Sequence, residues 1–372
     1  MDERELDNYE AYARIVVIGV GGAGNNAVNR MIDDNISSVE FYVANTDKQA
    51  LSRSKAKNRI VLGEQSTGGL GAGGDPEVGR RAAEESVDQI REIVTGANLV
   101  FIAAGMGGGT GTGAAPVIAA AAKEAGALTV AIVTRPFTFE GKKRIANSVE
   151  GLNSLKDSVD AIIIVSNDKL LMVSGRSHIS DAFAQSDEVL SQSVKTVTNL
   201  ILCPAFINLD FADVKNTLKD SGISLIGYGY GEGPNRSRDA ANNAINSPLL
   251  EASINGARRA ICAVTCGPDV SLYEAQETVN RIIEAAGSSV DIKFGVSINE
   301  GLSDKILVSV IASDFTEDFD FTHVPTYDKP IMSEPSEEAS DNGDSSNNPE
   351  NPQKEEDPKD SFLPNFLKDK NL

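Results

Sequence analysis

A strand, then a turn made almost wholly of glycine, then a helix: that order, at residues 98–122, constrains this chain more than any other feature. Asn98-Leu99-Val100-Phe101-Ile102-Ala103-Ala104 is an apolar run, Gly105-Met106-Gly107-Gly108-Gly109-Thr110-Gly111-Thr112-Gly113 follows it, and Ala114 to Ala122 is alanine-rich with helical composition. Six of the nine turn residues are glycine and two are threonine. Side chains are missing where backbone N–H groups converge on a helix N-terminus. Such a turn cradles an anion, the helix dipole adding partial positive charge and the threonine hydroxyls adding donors. So many adjacent glycines are costly unless the backbone must approach something closely. The ligand implied is the phosphate chain of a nucleotide.

The same alternation extends to both sides. Arg14–Val20 reads as a buried strand, Gly21-Gly22-Ala23-Gly24-Asn25-Asn26 as a glycine turn, and Ala27 to Asp33 as the start of a helix. Strands are expected at Phe41–Ala44, Ile60–Leu62, Thr129–Val133 and Ala161–Val165, with helices near 114–125 and 141–156. A third glycine loop spans Gly68–Gly74, and Pro76 opens a helix running to Val94. Near-continuous apolar strands between helices mean a parallel α/β sheet covered on both faces. Ligands of such sheets sit at the carboxyl ends of the strands, where all the glycine loops fall.

From Asp181 to Leu202 one helical pattern keeps Phe183, Leu190, Val194, Val197 and Ile201 on one face and ends before Pro204. It reads as a spacer between two units. Beyond it, strands are expected at 205–209, 225–229, 260–265 and 306–312, and helices near 213–220, 236–246, 250–256 and 271–286, a second and smaller α/β unit.

Gly19-x-Gly21-x-x-Gly24 after a strand fits the dinucleotide fingerprint, and Asp47, 23 residues beyond Gly24, falls where a ribose-binding acid would sit. That admits an NAD(P)-dependent oxidoreductase. Against it stand two further glycine loops, one richer than the first, and no evident hydride-transfer His or Lys in the second unit. No Gly-x4-Gly-Lys-Ser/Thr occurs, so the chain is not a P-loop protein. Asn208-Leu209-Asp210-Phe211-Ala212-Asp213 is the second clue. Asp213 can simply cap the following helix. Alternatively, the two carboxylates can polarise a water for attack on phosphorus. A helix of about 20 residues spans roughly 30 Å, so this acidic corner falls out of reach of a nucleotide held by its own chain.

The formal net charge of −20 argues against nonspecific binding to nucleic acid or anionic lipid. Residues 314–372 carry 16 acidic and 5 basic residues and half of the 14 prolines, a composition expected to be disordered. Phe362-Leu363-Pro364-Asn365-Phe366-Leu367-Lys368-Asp369-Lys370, at the end of this acidic tether, reads as a docking peptide. The acidic start Met1-Asp2-Glu3-Arg4-Glu5 is not signal-peptide-like, and no run of 18 apolar residues exists. Cys203, Cys262 and Cys266 read as ordinary buried thiols in a reducing compartment, and His178 and His323 as surface or packing residues.

Taken together, these residues resemble the FtsZ family, the bacterial relatives of tubulin, over residues 14 to 314. The carriers are Gly107–Gly113, Asn208-x-Asp210-x-x-Asp213, Arg135-Pro136-Phe137-Thr138-Phe139-Glu140-Gly141, Ser247-Pro248-Leu249-Leu250-Glu251, Leu272-Tyr273-Glu274 and, at the tail, Phe362 to Lys370. The resemblance implies a tubulin-like, Rossmann-type GTPase domain (14–180), a long central helix (181–203), a smaller α/β C-terminal domain (204–314), a disordered linker (315–359) and a docking peptide (360–372), behind a flexible arm (1–13). It implies GTP held by Gly21, Gly22, Ala23, Gly24, Asn25 and Asn26, by Ala72, Gly73 and Gly74 near the γ-phosphate, and by Gly107, Gly108, Gly109, Thr110, Gly111 and Thr112. Glu140 and Arg144 would meet ribose and phosphate, and Asn167, Phe183 and Asp187 the guanine. Asn208, Asp210 and Asp213 would act in trans on a neighbour's GTP, with Mg²⁺ on the phosphates and no metal ligand assigned among the side chains. The partners implied are further copies of the chain, stacked head to tail, and a membrane-linked adaptor and division regulators at the tail peptide. No nucleic acid and no direct membrane insertion are implied, and the place is the cytoplasm, at the division site.

Ala23, Lys48, Ser166, Lys169, Ala184-Gln185-Ser186 and Ser193 depart from the commoner family residues. Ala23 is tolerable if its φ is negative, and Lys48 would add a phosphate contact. A scaffold that binds GTP without hydrolysing it is the remaining alternative.

Overall fold

The computed structural model describes residues 13–315, apart from residues 37, 175–177, 203–204, 248 and 288. The N-terminal arm short of residue 13, Cys203, His323, the linker beyond residue 315 and the docking peptide 360–372 lie outside the described residues.

The first unit runs β1 (Ile15–Val20), α1 (Gly21–Asp33), β2 (Glu40–Asn45), α2 (Lys48–Ser52), β3 (Asn58–Val61), α3 (Glu64–Thr67), α4 (Pro76–Glu85), α5 (Val87–Val94), β4 (Leu99–Gly105), α6 (Thr110–Glu124), β5 (Leu128–Arg135), α7 (Lys142–Lys156), β6 (Ala161–Ser166) and α8 (Asn167–Ser174). The long helix α9 (Ile179–Leu202) follows. The second unit is α10 (Phe211–Leu218), β7 (Gly222–Gly231), α11 (Arg236–Ile245), β8 (Ala257–Cys266), α12 (Leu272–Ala286), β9 (Asp291–Ile298) and β10 (Ile306–Phe315).

All strands join one ten-stranded sheet in the order β3-β2-β1-β4-β5-β6-β7-β10-β8-β9. The first six are parallel, as their helical crossovers require. β10 is antiparallel to both β7 and β8, and β8 is parallel to β9. The units meet along a short parallel seam, Ala161–Ile163 against Gly222–Ser224.

The strands of the first unit alternate faces with period two. Ile15 and Val17 join one core layer, while Val16, Ile18 and Val20 join the other. α9 is more than a spacer. Its Val189, Leu190, Val194 and Val197 are fully buried in a cluster that also holds Phe101 and Ile163 of the first unit and Ile226, Tyr228, Ile261 and Ile311 of the second. Ser193 of α9 accepts a hydrogen bond from the buried Tyr228 hydroxyl and donates to the Val189 carbonyl.

Several local expectations are corrected. The expected helix 77–94 breaks at Ser86, which ends one helix and begins the next, and whose hydroxyl accepts the Gly63 N–H. The expected strand 205–209 is only an isolated bridge, Ile207 to Val296, because the Asn208 side chain folds back to accept the Ala205 N–H. Residues 250–256 are turns rather than a helix, drawn into extended contact with the first unit through Leu250 and Glu251. β9 has no counterpart among the expected strands: its apolar positions are broken by Lys293 and Gly295, and it is one of the sheet's two edges. Helices α1 and α6 start earlier than expected, inside their glycine turns.

Candidate functional site

Helices α1 behind Val20, α6 behind Gly109 and α7 behind Gly141 begin at one edge of the sheet without a side-chain cap. The strands leading into the first two, β1 and β4, are neighbours. Elsewhere Asp47, Asp75, Asp210 and Ser271 supply the missing acceptor for α2, α4, α10 and α12, while α3, α5 and α11 also lack a side-chain cap but do not follow the three glycine turns of this edge. The uncapped ends leave backbone donors for an anion. α7 also opens with Lys142, Lys143 and Arg144, all exposed, adding three cations where the dipole is already positive.

The glycines sort into two kinds. A Cβ on Gly113 would stand 1.9 Å from the Pro76 carbonyl oxygen, one on Gly111 2.6 Å from that of Gly105, and one on Gly24 2.2 Å from that of Ala103. These positions are glycine so that helices can press against backbone. Around Gly22, Gly73, Gly74 and Gly108 nothing lies within 4 Å of where a Cβ would be. Those four face open space at the edge and are the places where a ligand can come against bare backbone. Gly107 belongs to the first kind and also needs a backbone that favours glycine, with φ of +100° and the Arg144 carbonyl oxygen 2.7 Å from a Cβ built there.

The remaining loop residues hold this edge in shape. Asn25 is buried, and its amide spans the Gly19 and Gly21 carbonyls and Asn45. Asn26 is exposed. Ala23 does not adopt positive φ, as its side chain requires, and it packs where Gly105 has no side chain. The Thr110 hydroxyl bonds that of Thr46, and the Thr112 hydroxyl accepts the Gly107 N–H at 2.8 Å. Ala72 is buried, and Asn147 of α7 donates to the carbonyls of Gly74 and Gly107, tying two glycine loops together. Sequence reasoning missed Asn147, because an asparagine on a helix carries no motif of its own. Lys48, expected on phosphate, is instead paired with Glu64, and Asp47 is spent on the α2 cap rather than left for a ribose.

A second cluster lies beside the first, at the ends of β5 and β6 and the start of α9. Glu140 pairs with Arg144 and accepts the Phe137 N–H. Phe183 is 42% exposed and meets Phe137 edge-on at 5.0 Å, while Phe139, 64% exposed, stacks on Phe137 at 4.9 Å. These rings form an open aromatic wall suited to a flat base. Asn167 is buried and accepts from the Ser186 hydroxyl. Burial pushes the Asp187 carboxyl up to about 7, with the charge of Arg30 acting the other way. Asp168, also missed, accepts both the amide and the hydroxyl of Thr138 and so anchors the 137–140 turn.

Asn208, Asp210 and Asp213 are not part of this edge. They lie past the other end of α9, whose 24 residues span about 36 Å at 1.5 Å each. Asp210 accepts the Asp213 N–H at 2.8 Å and Asp213 accepts the Asp210 N–H, a reciprocal cap on α10. Asp210 and Asn208 are exposed and Asp213 half-buried. Cys262 and Cys266 are buried free thiols, pushed up to about 12 and about 11 by burial, and exposed His178 has no place in either cluster.

Residues 14–175 match the family model described as "Tubulin/FtsZ family, GTPase domain", and residues 222–316 match "FtsZ family, C-terminal domain". An FtsZ dimer from M. jannaschii, solved empty, is 37% identical with a TM-score of 0.81, the match covering 90% of this chain and 99% of that one. A point mutant of M. jannaschii FtsZ is 40% identical with a TM-score of 0.79, over 84% of this chain and 95% of that one. CetZ2 from Haloferax volcanii, solved as a GTPγS-bound protofilament, is 23% identical with a TM-score of 0.69, over 80% and 92%, a likeness of fold.

Proposed function

This chain belongs to the FtsZ family of tubulin-like GTPases and binds GTP, and from that premise we propose that it assembles head to tail into filaments of a division ring, with each GTP cleaved at a junction between two copies. One observation carries the reading. The glycine-lined edge and the Asn208–Asp213 corner stand at opposite ends of a 24-residue helix, about 36 Å apart by its rise. No nucleotide spans that distance, so the acids serve a nucleotide on another copy.

GTP lies with its phosphates against the open backbone at Gly22, Gly73, Gly74 and Gly108 and the uncapped N-termini of α1 and α6. Glu140 and Arg144 take ribose and phosphate, Phe183 takes the face of the base, and Asn167 and Asp187 take its edge. An ionised Asp187 accepts the two adjacent guanine N–H donors, which adenine lacks. From the neighbour, Asp210 and Asp213 orient and polarise the attacking water and Asn208 holds it in line. The reciprocal cap fixes one oxygen of each carboxylate and so sets the direction of the other. Among the described residues, no cluster of three or more His, Cys, Asp or Glu is placed to hold a metal. In this reading Mg²⁺ is carried on the phosphate oxygens, where its charge offsets theirs.

Exposed apolar side chains support a stacked assembly. Leu70, Phe139 and Phe183 surround the nucleotide edge, and Phe206, Leu272, Tyr273 and Ile298 lie around the other pole, where Ile207 bridges Val296 and Cys266 pairs Ile298. Two unlike apolar faces on one molecule make a heterologous contact that does not close. Residues 360–372 dock membrane-linked adaptors from the end of the acidic linker. Among the described residues no helix is long and apolar enough to cross a membrane, and the site of action is the cytoplasm at the division plane.

The test is phosphate release against protein concentration. The rate per subunit rises with concentration, and Asp213→Ala mixed with a Gly108→Arg partner recovers part of the activity that each lacks alone. A rate per subunit independent of concentration refutes the shared site, and absence of phosphate release makes the protein a scaffold. Deleting residues 360–372 leaves filaments in sedimentation and abolishes adaptor binding.

A further inference from the structure

The Ser247–Glu251 motif is left without a role by the nucleotide site and the acidic corner, yet its last two residues reach across the domain boundary. Lys169 Nζ donates to the Leu250 carbonyl at 2.6 Å. Glu251 Oε2 stands 3.9 Å from Lys169 Nζ and 3.9 Å from Arg135 Nη1. These are ion-pair distances, not hydrogen bonds. Glu251 Oε1 is buried with no hydrogen-bond partner. Burial pushes the Glu251 carboxyl above its ordinary range, with Lys169, then Arg135 and last the Ser166 N–H acting the other way and Asp168 adding to the rise.

The two cations are placed at consequential points. Arg135 ends β5 and begins the turn that carries Phe137, Phe139 and Glu140, while Lys169 lies two residues beyond Asn167 on α8. One carboxylate of the second unit thus faces the roots of both segments that frame the base and ribose. We propose that Glu251 is a positioning residue for nucleotide binding, fixing the Phe137–Glu140 turn through Arg135 and the Asn167 end of α8 through Lys169. The inference rests on GTP occupying this edge. Its physical basis is that an unpaired buried oxygen and two cations just beyond bonding distance gain most when the loops close around a ligand.

The experiment uses the full chain with Glu251→Gln, which keeps the shape and removes the charge, and Lys169→Met, which breaks the link from the other side. GTP affinity is measured below the concentration at which assembly begins, with steady-state GTPase above it and thermal midpoints alongside. Glu251→Gln weakens GTP binding about tenfold, which is about 1.4 kcal/mol. KM rises in step, and kcat at saturating GTP stays within about twofold. Lys169→Met weakens binding similarly, and the double variant is no weaker than the worse single one. Should one variant fail to fold, the other reads the same link. Lowered thermal midpoints with native GTP affinity and KM overturn the proposal and leave Glu251 a structural strut. A wild-type chain that does not bind GTP overturns the site itself, a different failure.

Discussion

Asp187 is the residue whose chemistry is most at odds with its surroundings. In the proposed site it must be ionised to accept two donors from guanine, yet burial holds its carboxyl at about 7 in the empty protein. GTP affinity of the unassembled subunit is therefore expected to rise between pH 6 and pH 8, with proton release on binding near pH 7 that calorimetry in buffers of different ionisation enthalpy detects. Asp187→Asn binds more weakly and without that pH dependence. The effect on stability runs the opposite way. The folded value lies above the ordinary 3.8, so the folded state holds the extra proton between those two values. The contribution of Asp187 to stability is full below pH 4 and is lost as pH rises through about 7, and Asp187→Asn raises the thermal midpoint of the empty protein at pH 8. The glycines give a second prediction at this scale. Gly108→Ala meets nothing within 4 Å, so its stability stays within about 0.5 kcal/mol of wild type while GTP affinity falls. Gly113→Ala drives a methyl into the Pro76 carbonyl and fails in a denaturant titration before ligand is added. Reading the sequence alone treats the two residues alike. It finds a glycine turn fit for phosphate but cannot separate glycines that admit a ligand from glycines that admit another helix, because the packing partners, Pro76 and Ala103, come from other segments.

At the scale of the element, local chemistry was legible and long-range attachment was not. The apolar runs of β1, β4, β5 and β6 and the single apolar face of α9 could be read directly, because burial on both faces of a parallel sheet leaves few polar interruptions. β9 and the Ser86 break escaped for the converse reason: an edge strand tolerates polar residues, and Ser86 interrupts its helix through a bond to Gly63. Glu251 and Asn147 escaped as site residues because their partners lie far along the chain. α12 shows how an element is held by such a distant partner. Arg236 grips Glu274 with two nitrogens at 2.7 and 3.1 Å, while Ser271 donates to the same carboxylate and caps the helix. The Arg236 guanidinium holds the Glu274 carboxyl down to about 2. Because the depressed group stabilises the fold only when ionised, its contribution is present above about pH 4.5 and is lost as pH falls toward 2. Glu274→Gln is expected to cost roughly 1 kcal/mol in urea unfolding at pH 7, solvent screening taking the rest, with the difference from wild type shrinking between pH 5 and pH 3. No such shrinkage would mean that the hydrogen bonds, not the charge, hold the helix end.

For the molecule as a whole, α9 decides how the two units behave. The sheet seam between them is only three residue pairs long. The buried face of α9, with Leu190 and Val194, nonetheless joins one apolar cluster to both units, and Ser193 adds a hydroxyl link to Tyr228. Leu190→Ala is expected to destabilise by about 2–5 kcal/mol and to speed hydrogen exchange in β1 and β4 and in β7 and β10 together. Acceleration in the first unit alone would show that the units unfold independently. The same rigid rod has an effect that appears only when copies are counted. If copies stack head to tail as proposed, a row of them always has one fewer complete reaction centre than it has members, since one terminus offers nucleotide with no acids above it and the other offers acids with nothing to cleave. Short rows thus keep a larger share of their GTP intact than long ones, and the two tips, being chemically unlike, gain and lose members at different rates.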